Sequence, residues 1–406
     1  MIRRFPGELP PSAGLPLQWR DFLPGGQPLG EALAQLFGTP VMQLECSGTS
    51  ALRIALMTLQ QQQPQRRAVI VPAYTCPLVA IAVHSLGLEL RLCDLRAGHF
   101  DLDPDALAAL CDARTLAVVP THLGGRVADV ASARTIASRH GAFVIEDAAQ
   151  ALGAFSQQQS VGLYGDIGIF SLAAGKGLSL FEGGLVVARD PELREALKRT
   201  SRREIPPGRG WELRRCVELL ALAICYRPHL LRAAYGRPLR QALAAGEPEQ
   251  AVGDVFPLHI PQHRVSRWRQ NVGWHAAARL PSFLEQGRQR ARYWKSRLQQ
   301  LPGLRVLDDL PGDEGVWPVL MLRLPTASRR DAALRQLWAS GLGVSRMFIH
   351  ALPDYAYLRG LVPAPDVPNA RDFAARTLTL GNSPWLDEAR FETIIGQLES
   401  VLRGGG

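Results

Sequence analysis

Short apolar runs that alternate with helical stretches constrain the architecture of this 406-residue chain more than any other feature. Ala68-Val69-Ile70-Val71-Pro72, Glu89 to Cys93, Leu116 to Pro120 and Ala142 to Ile145 read as strands. The segments between them read as helices: a run through His84, a stretch from the Asp103-Pro104-Asp105 cap to Leu110, and another from Asp129 to His140. Strands that alternate with helices in this way form a mostly parallel sheet with helices on both faces. Ligands of such sheets sit beyond the carboxyl ends of the strands. Ser47, Tyr74, Asp94, His122 and Asp147 all fall at those ends.

One stretch, Gly165 to Gly184, holds Lys176 in an apolar, glycine-flanked loop. Of 46 basic residues only Lys176, Lys198 and Lys295 are lysines, so the chain writes arginine wherever a plain positive charge is enough. Arginine keeps its proton at ordinary pH, whereas a desolvated lysine becomes a neutral amine that attacks carbonyls. The competing reading is a lysine snorkelling at a loop edge. Upstream, Val41 to Cys46 reads as a strand running into Ser47-Gly48-Thr49-Ser50, which opens a helix carrying Leu52, Ile54, Ala55, Leu56 and Leu59. The free N–H groups and hydroxyls of such a turn seat a phosphate, or simply cap the helix. Asp147 closes a buried strand, as a site carboxylate or as a cap for the next helix. Ser171 adds a hydroxyl, and Glu182-Gly183-Gly184 turns into a strand, Leu185 to Ala188, that runs antiparallel if the loop is tight. Phosphate seat, carboxylate, hydroxyl and lysine are together the set that pyridoxal 5'-phosphate requires.

Ser47-Gly48-Thr49-Ser50-Ala51-Leu52, Val144 to Gln150, Gly165-Asp166 through Ser171 to Lys176, and Glu182-Gly183-Gly184 stand in an order and spacing that resemble the DegT/DnrJ/StrS nucleotide-sugar aminotransferase family. The resemblance implies a PLP-dependent transferase fold of type I, an α/β class: a large domain with a mostly parallel seven-stranded sheet plus a smaller C-terminal α/β domain. It also implies a homodimer with shared active sites, glutamate as amino donor and a keto-sugar nucleotide as acceptor, in polysaccharide, glycan or secondary-metabolite biosynthesis. By position, Lys176 is similar to the lysine that bonds the cofactor aldehyde, Asp147 to the partner of its pyridine nitrogen, and Gln150 to the donor for its phenolic oxygen. Gly48, Thr49 and Ser171 resemble phosphate ligands. A related dehydratase branch carries histidine where this chain has Lys176, which favours transamination. Two positions depart from the pattern. Cys76 stands where the family often stacks an aromatic ring on the cofactor, leaving Tyr74 or a thinner cover. Gln262, in Gln262-His263-Arg264, replaces an asparagine that reaches the neighbouring subunit's phosphate site. Tyr74, His122, Arg264 and His350 are the candidate substrate contacts.

The divisions expected are a cofactor-binding domain over residues 1–200, a helical insert over 201–260, and a helix pair with the small domain over 261–406. The helix pair spans 265–300 and breaks at Pro281; strands follow at 319–324 and 344–349, with a helix from Ser328 to Ser340 capped by Gly341. A last helix runs from Leu386 to Leu402, and the closing glycines are expected to be disordered. Six cysteines without CxxC spacing suit a reducing compartment and indicate neither disulfides nor a metal site. The first twenty residues lack an unbroken apolar core, so the cytoplasm is expected. Arg-bounded apolar positions from Trp211 to Tyr226 are too short to span a bilayer, so residues 205–255 pack within the protein or make a peripheral membrane contact. The net charge of +9 permits a nucleic-acid or anionic-surface partner, but the arginines are scattered rather than blocked, which hints at phosphorylated ligands or an anionic membrane surface, and no nucleic acid is expected as a partner. Two rival readings stay open: a non-nucleotide ketone acceptor, lipid-linked or aminocyclitol, and a basic regulatory or binding protein without chemistry.

Overall fold

The computed structural model describes residues 5–403, so the closing glycines lie outside the described residues. In the first half, β1 (Gln43–Glu45), β2 (Ala68–Pro72), β3 (Glu89–Cys93), β4 (Thr115–Val118) and β5 (Phe143–Asp147) are followed by a short hairpin, β6 (Phe155–Ser156) and β7 (Gln159–Ser160). Then come β8 (Ile167–Ser171) and β9 (Gly184–Ala188). Seven of these form one sheet in the order β1-β9-β8-β5-β4-β2-β3. Every neighbouring pair from β3 to β8 is parallel. Only β9 runs against its neighbours, β8 and β1, because the loop that carries Lys176 returns the chain directly beside the strand it left. No residue of β2, β4, β8 or β9 is exposed, as expected for strands covered on both faces.

The second half adds β10 (Arg305–Val306), β11 (Asp313–Glu314), β12 (Val319–Arg323), β13 (Val344–Ser345) and β14 (Thr377–Gly381). A four-stranded antiparallel sheet runs β10-β12-β14-β13, while β11 completes the β6-β7 hairpin. Helices Ala327–Leu337 and Glu388–Arg403 pack together, and their apolar faces join the core of the small sheet. The strand anticipated to Ile349 stops at Ser345, where pairing with β14 ends. Beyond it Phe348 closes both its N–H and its carbonyl on the Tyr74 hydroxyl, at 3.1 Å each, instead of on a strand. The helix pair breaks at Ala278-Arg279, and Pro281 sits in the first turn of the second helix, Leu280–Leu298, where its missing N–H costs nothing.

Two long-range attachments hold the Lys176 loop. The strap formed by residues 8–17 crosses from the small sheet to the loop: Leu9 donates to the Gly341 carbonyl, Ala13 to Pro318, and Leu15 to Gly177. On the opposite side lies a buried ionic cluster. Glu212, on the helix Arg209–Cys225, accepts from Arg269 Nε at 2.8 Å, from Arg269 Nη2, from His263 Nε2 at 3.1 Å and from the Ser266 N–H at 2.8 Å. Burial raises the Glu212 carboxyl, yet these donors win and hold it well below the usual carboxylate range. Arg269 is itself fully buried and also donates to the carbonyls of Leu180 and Glu182. One guanidinium thereby fastens the insert helix, the helix Arg267–Ala277 and the Lys176 loop together.

Removing one member of a buried pair strands the other charge. Glu212→Ala is expected to lower stability by about 3–5 kcal/mol in denaturant titrations, and the double replacement Glu212→Leu with Arg269→Met is expected to lose less.

Candidate active site

Beyond the carboxyl ends of the parallel strands lies a cavity of about 730 Å³. Its wall includes Ser47, Gly48, Thr49, Cys76, His122, Asp147, Gln150, Ser171 and Lys176, so residues far apart in sequence meet in one place.

The turn after β1 is set by close backbone approach. Ser47 caps the helix Gly48–Gln62 by accepting from the Ser50 N–H at 3.0 Å. A Cβ on Gly184 of β9 would lie 2.1 Å from the Ser47 carbonyl oxygen, and one on Gly48 would lie 3.1 Å from Ser171 Cβ. These glycines let β9 and β8 press against the turn, so Ser171 and Thr49 share a wall with the start of a fifteen-residue helix. Helix dipole and unpaired N–H groups there suit a phosphate.

Asp147, at the end of β5, is 4 % exposed. Burial pushes its carboxyl up, opposed by the Ala149 N–H at 3.1 Å on Oδ1 and by the charges of Lys176 and His122. No described residue donates to Oδ2, so the carboxylate keeps one oxygen for a cationic N–H in the cavity. Lys176 is half-buried, and loss of solvent pulls its ammonium down, opposed by Cys76 and Asp147. Lys198 pairs with Glu195 and Lys295 with Asp308, whereas Lys176 Nζ makes no hydrogen bond or ion pair with any described residue.

Gln150 has a fixed amide orientation. Its Oε1 accepts from the Gly124 N–H at 2.6 Å, while Nε2 donates one N–H to Met347 Sδ at 3.4 Å and keeps the other open. Cys76 faces the cavity with its thiol pushed up to about 12 by burial, hence neutral. His122 lines the wall, but both ring nitrogens are committed: Nδ1 accepts from the Ala128 N–H at 3.0 Å, and Nε2 lies 3.0 Å from Glu146. It offers the cavity its ring rather than a free polar atom. Glu146 in turn collects the N–H groups of Gly162, Tyr164 and Gly165 at 2.6–2.7 Å, which makes it a structural carboxylate.

Other anticipated residues lie elsewhere. Tyr74 is 2 % exposed, its hydroxyl is closed on the Phe348 backbone and its ring is wedged edge-on between Phe348 and Phe373, so it does not line this cavity. Asp94 caps a small-domain helix through the N–H groups of Asn369 and Ala370. His350 is outside the cavity wall because it pairs with Glu249 of the insert at 2.8 Å. Gln262 accepts from Ser50 Oγ at 2.7 Å, beside the phosphate turn of its own chain. Arg264 is exposed and donates to the Ile205 and Arg202 carbonyls, away from its own cavity.

Sequence reasoning missed the wall contributed by the insert, namely Trp211, Arg214, Arg215, Asp254 and His259, and missed Arg346 of the small domain. A charged residue interrupting an apolar run was the available signal, as at Val252-Gly253-Asp254-Val255-Phe256 and Val344-Ser345-Arg346-Met347-Phe348.

The model of the DegT/DnrJ/EryC1/StrS aminotransferase family matches residues 19–215 and 262–399. GDP-perosamine synthase of Caulobacter vibrioides is 28 % identical over 362 residues, 88 % of this chain and 84 % of that protein. The dTDP-3-amino-3,4,6-trideoxy-alpha-D-glucose transaminase of Streptomyces venezuelae is 29 % identical over 353 residues, 86 % of this chain and 79 % of its own length. A Streptococcus pneumoniae protein solved in a PLP form shares the fold with a TM-score of 0.74 at 18 % identity, over 98 % of this chain and 99 % of its own.

The family match is interrupted over the segment that supplies Asp254. Burial pushes that carboxyl up to about 6, against the Tyr355 hydroxyl at 2.6 Å, the Ile349 N–H at 2.8 Å and the charge of Arg346. A raised folded value means that the folded chain holds this proton more tightly than the unfolded one, so the contribution to stability is lost as pH rises from about 4 through 6. Asp254→Asn keeps an acceptor oxygen and removes the titration. Its stability advantage over the parent is expected to grow across that window and level off above pH 7 at up to about 3 kcal/mol, read from denaturation midpoints at each pH.

Proposed function

The chain belongs to the DegT/DnrJ/EryC1/StrS aminotransferase family, and we propose that it transfers an amino group from glutamate to a keto-sugar nucleotide with pyridoxal 5'-phosphate as cofactor. The observation that carries this reading is the unpaired, half-buried Lys176 amine in the same cavity as an Asp147 carboxylate with an open oxygen and a hydroxyl-lined helix start.

These residues fit the cofactor. Gly48, Thr49 and Ser171 with the helix start would hold its phosphate, Oδ2 of Asp147 would be the partner for its ring nitrogen, and Gln150 Nε2 would be a donor for its phenolic oxygen. Cys76 would stand beside the ring with a neutral thiol. Bound there, pyridoxal phosphate supplies an aldehyde that accepts an amino group and a conjugated ring that stabilises negative charge on the substrate carbon. Lys176 Nζ would hold the aldehyde, and as a neutral amine it would move a proton at the donor's α-carbon and at the acceptor carbon. Its desolvation favours the neutral form that this work needs. Asp147 stays ionised by pairing with the ring N–H, which offsets its burial.

The named substrates of the two relatives above support a nucleotide sugar as acceptor. The insert residues Trp211 and His259 line the same cavity, where aromatic rings suit the base of a nucleotide. A homodimer agrees with Arg264 facing away from its own cavity and with the uncovered stripe of Leu213, Val217, Leu220 and Ile224 on the insert helix. None of the helices in residues 5–403 is long and apolar enough to cross a membrane.

The purified protein is expected to carry a visible absorption band that glutamate shifts while 2-oxoglutarate accumulates. Lys176→Ala is expected to abolish the band and to slow amino transfer by at least about 100-fold. An unchanged spectrum in Lys176→Ala would refute the reading, and a panel of keto-sugar nucleotides against the glutamate-treated protein identifies the acceptor.

A further inference from the structure

A site that alternates between an amino acid and a sugar must hold the carboxylate of the first without any help from the second. Among the arginines of the cavity wall, Arg346 differs from its neighbours. Arg215 is neutralised by Glu182 and Glu218, and Arg214 by Glu218. Arg346 makes no ion pair with any described residue. One terminal nitrogen, Nη2, is anchored on the Ile349 and Ala374 carbonyls at 2.6 and 2.8 Å, which fixes the plane of the guanidinium. Its Nε is buried without a partner, and no described acceptor meets Nη1. The next residue, Met347, places its sulfur 3.4 Å from Gln150 Nε2, so Arg346 enters the cavity beside the amide that faces the cofactor. Asp254 shares the wall but makes no ion pair with Arg346, and its Oδ2 is taken by Tyr355 and Ile349.

We propose that Arg346 is the anchor for a carboxylate of the amino donor, an anion that completes the unpaired edge of its guanidinium. The inference rests on the aminotransferase reading and names the residue that makes the cavity accept an acidic amino acid. Burial and the neighbouring Arg330 both disfavour the Arg346 charge in the free cavity, and an incoming carboxylate relieves both. A planar fork already held on one side loses little freedom when it binds such a group. The insert arginines of the wall are already paired with Glu182 and Glu218, so Arg346 is the wall arginine left open to an incoming carboxylate.

The test uses the holoenzyme and glutarate, a dicarboxylate that cannot react. Calorimetric titration of glutarate into Arg346→Gln is expected to show a dissociation constant raised about 30-fold or more, with partial recovery in Arg346→Lys and an unchanged visible cofactor band in both. Glutamate should shift the band of Arg346→Gln only at correspondingly higher concentration, while 1-phenylethylamine, an amine donor without a carboxylate, should act on parent and variant alike. Phenylglyoxal labelling of the parent, mapped by mass spectrometry, needs no variant: Arg346 should be modified, and glutarate should protect it. Equal glutarate affinity in parent and Arg346→Gln, or labelling that glutarate leaves unchanged, overturns the proposal. A parent protein that no amino donor shifts would instead overturn the aminotransferase reading itself.

Discussion

An amine held in a cavity without a partner makes two demands: the side chain stays unpaired, and the backbone that carries it is satisfied without lending that partner. The loop between β8 and β9 meets both demands through its carbonyls. Ser12 Oγ donates to Gly175 at 2.7 Å and the Leu15 N–H to Gly177 at 2.8 Å, while Arg269 takes the carbonyls of Leu180 and Glu182. Within the loop, Ala174 donates to Phe181 and Leu180 to Leu172. Buried main-chain groups left open would cost more than the fold can tolerate. With them closed, Lys176 lines the cavity with its amine unpaired, while Glu182 of the same loop, also on the wall, is paired with Arg215.

The cluster of Glu212, His263 and Arg269 extends that arrangement to the cavity wall. Such buried ions contribute little net stability once desolvation is counted, and their value lies in fixing one geometry. Here the geometry relates an insert helix, the helix after residue 262 and the amine loop. The small domain meets the insert through Asp254 with Tyr355 and Glu249 with His350, so the outer wall is fixed at both ends.

Strands such as Ala68–Pro72 and Glu89–Cys93 could be read from sequence because local pattern determines them, and so could the choice of Asp147 and Lys176 as residues that meet in one cavity. An apolar run bounded by turn residues specifies a buried strand, and a lone lysine among arginines marks unusual chemistry. Tyr74 was misread because an aromatic residue at a strand end points either into the ligand space or back into the core, and contacts with Phe348 and Phe373 decide. His350 was misread for a similar reason, since its partner Glu249 lies 101 residues away. The insert wall and Arg346 depend on pairings as distant as Glu212 with Arg269, 57 residues apart, which no local spacing encodes.

The strap of residues 8–17 carries one more implication. Tyr226, near the end of the insert's long helix, donates its hydroxyl to the Ser12 carbonyl and accepts from the Gly14 N–H, both at 2.9 Å, while a Cβ on Gly14 would lie 2.9 Å from the Lys176 carbonyl oxygen. Residues 8–17 are thus a working part of the scaffold around the cavity. A fusion partner or trimming ahead of Leu9 would tug on the same peptide units that aim the amine, so the choice of which end to tag is a mechanistic decision for this enzyme.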